Sequence, residues 1–105
     1  MSRRIIQHST FLKALYHAEP IQRKIMIESI TNDETLAICD IASKILRGRI
    51  NMITIHWEKL KDYKRVLRSL ACPGINVTRK KRTLLAFHTF LPLLIKPVLH
   101  LLDEV

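Results

Sequence analysis

The chain has 105 residues, which is the length of one domain with a modest core and is too short to enclose a large active site. Hydrophobic residues make up 48% of it, a fraction that excludes an intrinsically disordered protein. Its 18 Lys and Arg against 9 Asp and Glu give a formal net charge of +9, which indicates an electronegative partner: nucleic acid, an anionic membrane or an acidic protein surface. Twelve of these cations and two of the acids lie between residues 44 and 82, so that window carries +10 and the rest of the chain is nearly neutral.

Apolar spacing predicts the fold class. With only 2 Gly and 4 Pro and few alternating β-branched runs, the chain is predicted to be all-α, a compact bundle of five to six short helices. We expect a single helical domain over residues 1–105. Within it, residues 1–8 are expected to be a flexible basic N-terminus, and residues 75–105 a basic and apolar helical hairpin.

The first two helices are predicted from their caps. One covers residues 9–18, with Ser9 or Thr10 as its N-cap. The next begins at Pro20, which suits a first helical turn, and ends near residue 29. Its apolar side is predicted to consist of Ile21, Ile25 and Ile27, with Met26 nearby.

The third helix has the strongest boundary signals. Thr31 followed three residues later by Glu34 is a capping-box pattern, which predicts the helix start. Gly48 suits the left-handed conformation that often ends a helix, so the helix is predicted to reach about residue 47.

A fourth helix is predicted from Thr54, as its cap, to residue 70, before the breaker sequence at residues 71–74. One stripe along it is apolar, at Trp57, Leu60, Tyr63, Leu67 and Leu70. The remaining surface is mostly basic, at Lys59, Lys61, Lys64, Arg65 and Arg68.

Two further helices are predicted at the C-terminal end. The fifth covers residues 78–87 with Thr78 as its cap, and the sixth covers residues 91–102 with bends at Pro92 or Pro97. The first turn of the fifth helix would then hold four cations, Arg79, Lys80, Lys81 and Arg82. Cations at a helix N-terminus oppose the macrodipole, and a bound anion is the natural relief. This local conflict therefore indicates a functional site.

The residue types that carry catalysis are present without a catalytic pattern. Five histidines have no carboxylate partner at helical spacing, and two glycines do not build a phosphate loop. We therefore expect no enzyme, no metal site and no cofactor. The two cysteines, Cys39 and Cys72, have no metal-like spacing, and Cys39 is expected to be a buried thiol, which suggests a reducing compartment.

The charge pattern favours a nucleic-acid partner. A nearly single-signed helix face beside a cationic run suits the phosphate backbone, and nothing in it resembles a code for reading bases. Binding is expected to weaken with salt and to ignore sequence. The predicted contacts are Arg79, Lys80, Lys81 and Arg82, extended by Lys61, Lys64, Arg65 and Arg68. Trp57 and Tyr63, which lie on the apolar stripe, are expected to serve in core packing rather than in base stacking.

Residues 84–102 support two other functions. This segment is apolar nearly all round, so it is either a central core helix or inserted in lipid. We favour the core because His88, Pro92, Lys96, Pro97 and His100 interrupt it. The alternatives are a membrane-active or membrane-anchored protein with the cations on anionic headgroups, and a helical interaction module that forms a homo-oligomer.

Six stretches of the chain also carry a resemblance to a known family. They are FLKAL at 11–15, PIQRK at 20–24, ILRGRI at 45–50, LRSLA at 67–71, INVTRKKRTLL at 75–85 and FLPLL at 90–94. In this layout the chain resembles a small basic protein encoded by Polinton/Maverick elements and adintovirus-like genomes of animals. Two departures stand out: AFHT at 86–89 replaces a glycine pair, and the apolar tail is poorer in glycine and alanine.

The resemblance implies a virion-associated or DNA-associated accessory protein, comparable to the small basic core proteins and membrane-active proteins of adenovirus-like particles. Viral-type capsid proteins would then be partners, and the location would be the nucleus or the virion. The cationic run at 79–82 also fits a nuclear import signal.

Overall fold

The chain is represented by a computed structural model, which describes residues 2–50 and 58–102. These residues form seven α-helices and no strand, so the predicted all-α class is confirmed, with slightly more helices than five to six. The helices are α1 (Arg3–Gln7), α2 (Ser9–His17), α3 (Pro20–Glu28), α4 (Asn32–Leu46), α5 (Lys64–Ala71), α6 (Val77–Ala86) and α7 (Leu91–Leu101). Two short 3-10 turns lie at Lys61–Tyr63 and His88–Phe90.

Two helices, α4 and α7, form the centre of the bundle. Helix α4 contacts α1, α5, α6 and α7, while α7 also packs against α2. Somewhat more than half of the circumference of α7 is buried, at Leu91, Leu94, Ile95, Pro97, Val98 and Leu99, whereas Lys96 and the exposed His100 lie on its outer side. The radius of gyration of 12.4 Å is close to the roughly 13 Å expected for a compact chain of about 100 residues. The segment that sequence left open between core and lipid therefore lies in the core of this structure.

The predicted limits of α4 are confirmed by hydrogen bonds. The Glu34 amide donates to Thr31 Oγ1 at 3.1 Å, and the Thr31 amide donates to Glu34 Oε1 at 3.0 Å, so both halves of the capping box are formed. At the other end Gly48 has a φ of 68°, a conformation that costs glycine little because it has no Cβ. The capping box and the Gly48 conformation thus set the two ends of α4, the helix that contacts α1, α5, α6 and α7.

The N-terminus differs from the flexible segment expected at residues 1–8. Residues 3–7 form α1, whose N-cap Ser2 accepts a hydrogen bond from the Ile5 amide, and Ile5 is fully buried. Asp33, in the first turn of α4, holds this helix in place through Arg4 at 3.4 Å and His8 at 2.9 Å. Hydrogen bonding from His8, together with Arg4, lowers the pKa of the Asp33 carboxyl. The sequence hides this anchor because its partners lie 25 or more residues apart.

The expected cap of α2 is wrong. Ser9 is the first helical residue, and the N-cap position belongs to His8, whose side chain makes no capping bond.

The C-terminal end of α2 is bound by Arg23 of α3, which donates from Nε to the Leu15 carbonyl at 3.1 Å and from Nη2 to the Ala18 carbonyl at 2.6 Å. A cation suits the carbonyls at a helix C-terminus, so Arg23 joins α2 to α3.

Helix α3 occupies the predicted segment but buries a different face. Ile27 and Arg23 are buried, whereas Ile21 and Ile25 are 77% and 59% exposed. Residues two apart on a helix point in nearly opposite directions, and the inward position of Arg23 turns Ile21 and Ile25 outward. The prediction placed all three isoleucines on one side and missed the charged residue that sets the orientation.

The fourth predicted helix is only partly described. Its proposed cap Thr54 and Trp57 lie outside the described residues; residues 58–60 are helical, and the turn Lys61–Tyr63 separates them from α5. Leu60, Leu67 and Leu70 of the predicted stripe are fully buried, and Tyr63 stacks on Phe90 with ring centroids 5.0 Å apart. An apolar stripe with a period of 3.6 residues predicts one continuous α-helix, so it did not reveal the 3-10 turn at Lys61–Tyr63.

The C-terminal segment starts and bends at other residues than predicted. Asn76, not Thr78, caps α6, because its Oδ1 accepts from the Arg79 amide at 2.9 Å. The large bend, 74°, lies between α6 and the segment His88–Leu101, so the expected hairpin is a corner. Pro92 occupies the first turn of α7, and Pro97 lies inside that helix.

The capping box generates a stability test with a matched control. Changing Thr31→Ala removes one half of the box and is expected to cost about 1 kcal/mol of unfolding free energy, measured by chemical denaturation. Thr10→Ala changes an exposed threonine inside α2 that caps nothing in this structure, so no loss is expected. A Thr10→Ala variant less stable than Thr31→Ala would contradict the described helix limits.

Candidate nucleic-acid interface

The cationic run at the start of α6 is divided between two environments. Arg79 and Arg82 are exposed, Lys81 is half-buried, and Lys80 is only 6% exposed. The division follows from helical periodicity, since residue 80 shares its inward side with Leu84, four positions on. Two arginines of the predicted quartet are therefore fully available to a large surface such as a duplex.

Lys80 is the one predicted contact that the structure places away from the open surface. Its side chain lines a cleft of about 500 Å³ where α4, α5 and the start of α6 meet. Cys39 and Asp40 line the same cleft. The sequence does not show which members of a cationic run are buried, so the prediction did not distinguish Lys80 from its three exposed or half-buried neighbours.

The other predicted contacts lie on a second exposed basic surface. Lys61 in the 3-10 turn and Lys64, Arg65 and Arg68 in α5 are all exposed. Lys61 pairs with Glu58 at 2.6 Å, whereas the side chains of Arg65 and Arg68 make no ion pair with any described residue. We call these four residues, together with Arg79, Lys81 and Arg82 of α6, the basic surface.

Its two halves are carried by neighbouring helices. Helices α5 and α6 contact each other, and both pack on α4. Helix α5 buries Leu67 and Leu70 against this support, which turns Arg65 and Arg68 toward solvent. The core thus fixes the backbone beneath the exposed arginines, while their long side chains stay adaptable.

Among the residues that the structure describes, Tyr63 and Phe90 give this surface no exposed stacking platform. Tyr63 is half-buried and packs on Phe90, as expected from its place on the apolar stripe. Phe90 itself is 1% exposed. The described contacts of Tyr63 therefore favour binding by charge over binding by base stacking.

His8, Asp33 and Cys39 are of residue types that often serve in catalysis, but here they take part in contacts between helices and in the core. Among residues 2–50 and 58–102, no cluster of three or more His, Cys, Asp or Glu is arranged to hold a metal ion. The His8–Asp33 pair, which spacing along the chain did not indicate, anchors α1 to α4 and lies near the surface. Burial raises the pKa of the Cys39 thiol to about 11; Asp40 adds to this rise, and Lys80 opposes it. A thiol in this state is a poor nucleophile at neutral pH.

The apolar C-terminal segment is divided between two helical pieces. No single helix in the described ranges has both the length and the apolar composition to cross a membrane. Val77–Ala86 and His88–Leu101 meet both criteria when taken together, but they meet at an angle of 74°.

The two cysteines generate a reactivity test. Cys72 is exposed and Cys39 is buried, and the raised pKa keeps Cys39 protonated at pH 8. A maleimide reagent is therefore expected to label Cys72 quickly and Cys39 slowly in the native protein, and both quickly in denaturant, as read by peptide mass spectrometry. Labelling of Cys39 as fast as Cys72 in the native protein would contradict the described core.

Comparisons with known proteins add no relative on which a function can be based. A scan against models of protein families, a search of curated proteins and a search of solved structures each returned no match. The fold class alone does not specify an activity, because helical bundles serve many unrelated functions. The function is therefore inferred from the exposure, contacts and charge of the described residues.

Proposed function

We propose that the protein is a non-enzymatic nucleic-acid-binding protein that contacts the phosphate backbone without sequence preference. The observation that carries this proposal is the basic surface, on which Arg65, Arg68, Arg79 and Arg82 are exposed and make no side-chain ion pair with the described residues. A surface kept only for solubility usually mixes both signs of charge. The arginines instead face solvent with their donors available for phosphate oxygens.

The local charge balance favours an anion at this place. Arg79 lies in the first turn of α6, where the macrodipole is already positive, and no acid shares that turn. Around α5 the nearby acids are Glu58, engaged by Lys61, and Asp62 in the 3-10 turn. A row of phosphates would lower the repulsion among these cations.

The binding mode follows from the types of side chain. Arginine and lysine on open helix surfaces reach phosphate oxygens, while reading of base edges needs groups inserted into a groove at fixed positions. Counterion release from the nucleic acid then supplies most of the driving force. Affinity should accordingly fall steeply with salt and differ little between unrelated duplexes.

A membrane-active function would require a different arrangement of the same chain. The side chains of α7 that would enter lipid are packed against α2 and α4, so insertion would expose the faces of those helices that now form the core. That rearrangement would lose the free energy of apolar burial, so we favour the basic surface as the binding site of the folded protein. Capture by anionic vesicles without DNA binding would favour the membrane instead.

The resemblance to small basic proteins of Polinton/Maverick elements suggests a setting for this activity. We propose a DNA-associated accessory protein of a virion or capsid, present in the nucleus or the particle, with viral-type capsid proteins as further partners. Support comes from the small size, the net charge of +9 and the exposed basic surface, which suit the neutralisation of packaged nucleic acid.

The experiment is a salt titration of duplex-DNA binding by fluorescence anisotropy. The pairs Arg65→Gln/Arg68→Gln and Arg79→Gln/Arg82→Gln are each expected to weaken binding and to reduce the slope of log affinity against log salt by about 0.9 per lost phosphate contact. Two duplexes of unrelated sequence should bind the wild type with similar affinity. Anionic vesicles are added as a competitor in a parallel series.

The matched control removes the same charge from other helices. Lys13→Gln/Lys24→Gln changes two exposed lysines on α2 and α3, so its net charge equals that of each arginine pair. This control is expected to bind nearly as the wild type does. Equal wild-type affinity at low and high salt, or the same loss in the control as in the arginine pairs, would overturn the proposal.

A further inference from the structure

The end of α4 has three cations that the basic surface does not include. Lys44 lies in the last turn of the helix, Arg47 is its C-cap, and Arg49 follows two residues later. All three line one groove of about 170 Å³. We call Lys44, Arg47 and Arg49 the α4 cluster. It contributes to the positive charge of the window 44–82 but has no part in the binding site proposed above.

The turn that ends α4 brings these side chains together. The Arg49 amide donates to the Lys44 carbonyl at 2.9 Å, which folds the chain back over the last helical turn. The Gly48 amide donates to the Ile45 carbonyl at 3.1 Å, and the φ of 68° at Gly48 permits this reversal. Ile50 is buried directly after Arg49. The backbone beneath the cluster is therefore fixed from both sides.

The acids of the described chain are not paired with this cluster. Among residues 2–50 and 58–102, none of its three cations forms an ion pair. Asp40 lines the same groove, but its Oδ2 is bound by Arg4 Nη1 at 3.5 Å and by Ser2 Oγ at 3.3 Å. The charge of the cluster is thus available to an anionic partner.

The helix macrodipole explains only part of the cluster. Cations in the last turn of a helix are stabilised by the macrodipole, which accounts for Lys44 and Arg47. Arg49 lies beyond the helix, and both arginines are exposed. Two exposed guanidinium groups beside a lysine are a combination that suits phosphate oxygens.

The α4 cluster lies on a different side of the molecule from the basic surface. Asp40 lines both the groove of the cluster and the cleft that α5 and α6 border, so the cleft lies between the two basic regions. Leu70 and Lys80 line that cleft. Arg68 and Arg82, each two positions away from one of them, point away from the cleft, because residues two apart on a helix face nearly opposite directions. A duplex on these arginines therefore leaves the cluster open.

We propose that the α4 cluster is a second contact for nucleic-acid phosphates, through which one molecule bridges two duplex segments. This inference rests on the proposed binding of nucleic acid by the basic surface and adds a linking activity to it. Arg47 and Arg49 donate to phosphate oxygens of the second segment, and Lys44 adds a positive charge beside them. A protein already bound to one duplex presents this site to the next at high effective concentration.

The test is a capture assay in which one duplex is fixed to beads and a second, fluorescent duplex of unrelated sequence is free in solution. Wild type should retain the fluorescent duplex on the beads, and added salt should release it. Arg47→Gln/Arg49→Gln is expected to retain roughly tenfold less, because it loses charge-assisted contacts to phosphate. In anisotropy the same variant should bind a single duplex nearly as wild type does, which also shows that it is folded.

Three further variants serve as comparisons. Arg79→Gln/Arg82→Gln should weaken both single-duplex binding and capture, because it removes part of the first contact. Lys13→Gln/Lys24→Gln, on α2 and α3, carries the same net charge and should leave both nearly unchanged. Arg49→Gln alone removes no cation from the end of α4 and should still lose part of the capture.

The outcomes separate this inference from the proposed function. Absence of duplex binding by wild type in anisotropy would overturn both. Duplex binding without capture would overturn the bridging alone. Capture by Arg47→Gln/Arg49→Gln equal to that by wild type would also overturn it, and would show that the duplexes are joined by another part of the protein or by two copies of the chain.

Discussion

Burial of α7 is the constraint on which the rest of this structure depends. Six of the eleven residues of α7 are buried apolar side chains, so the other helices of this 105-residue chain must cover that side of α7. Helices α2 and α4 supply the main contacts, and the 3-10 turn before α7 brings Phe90 against Tyr63. The amphipathic helices pack their apolar sides into the core, so their polar and charged sides face outward.

The distribution of charge on the molecule follows from that packing. Helix α5 turns its leucines to the core and its arginines to solvent, whereas α6 has cations on every side of its first turns and must bury one of them. Lys80 is the one that faces inward, into the cleft beside α4. The same cationic run thus has two exposed arginines, Arg79 and Arg82, on its open side and one lysine, Lys80, whose side chain is largely buried.

Local sequence signals predicted much of this fold and part of the candidate site. The capping box at Thr31 and the left-handed Gly48 fixed α4 because both act within a few residues. The exposed positions of α5 followed from its apolar stripe. What the sequence did not reveal depends on partners distant along the chain: Asp33 orders α1 through Arg4 and His8, and Arg23 turns α3 so that Ile21 and Ile25 face solvent. The burial of Lys80 is of the same kind, since a run of cations carries no information about which one faces a neighbouring helix.

The most direct test of the central claim, that the apolar C-terminal segment is the core and the basic surface is what remains for partners, is amide hydrogen exchange followed by mass spectrometry. The experiment is run in buffer and again with anionic vesicles. Burial between α2 and α4 predicts that the amides of α7 exchange among the slowest in the chain, much more slowly than those of the short α1, and that vesicles leave this protection unchanged. Fast exchange of α7 in buffer, or its loss of protection on vesicles, would show that the segment is available to lipid and would contradict the account.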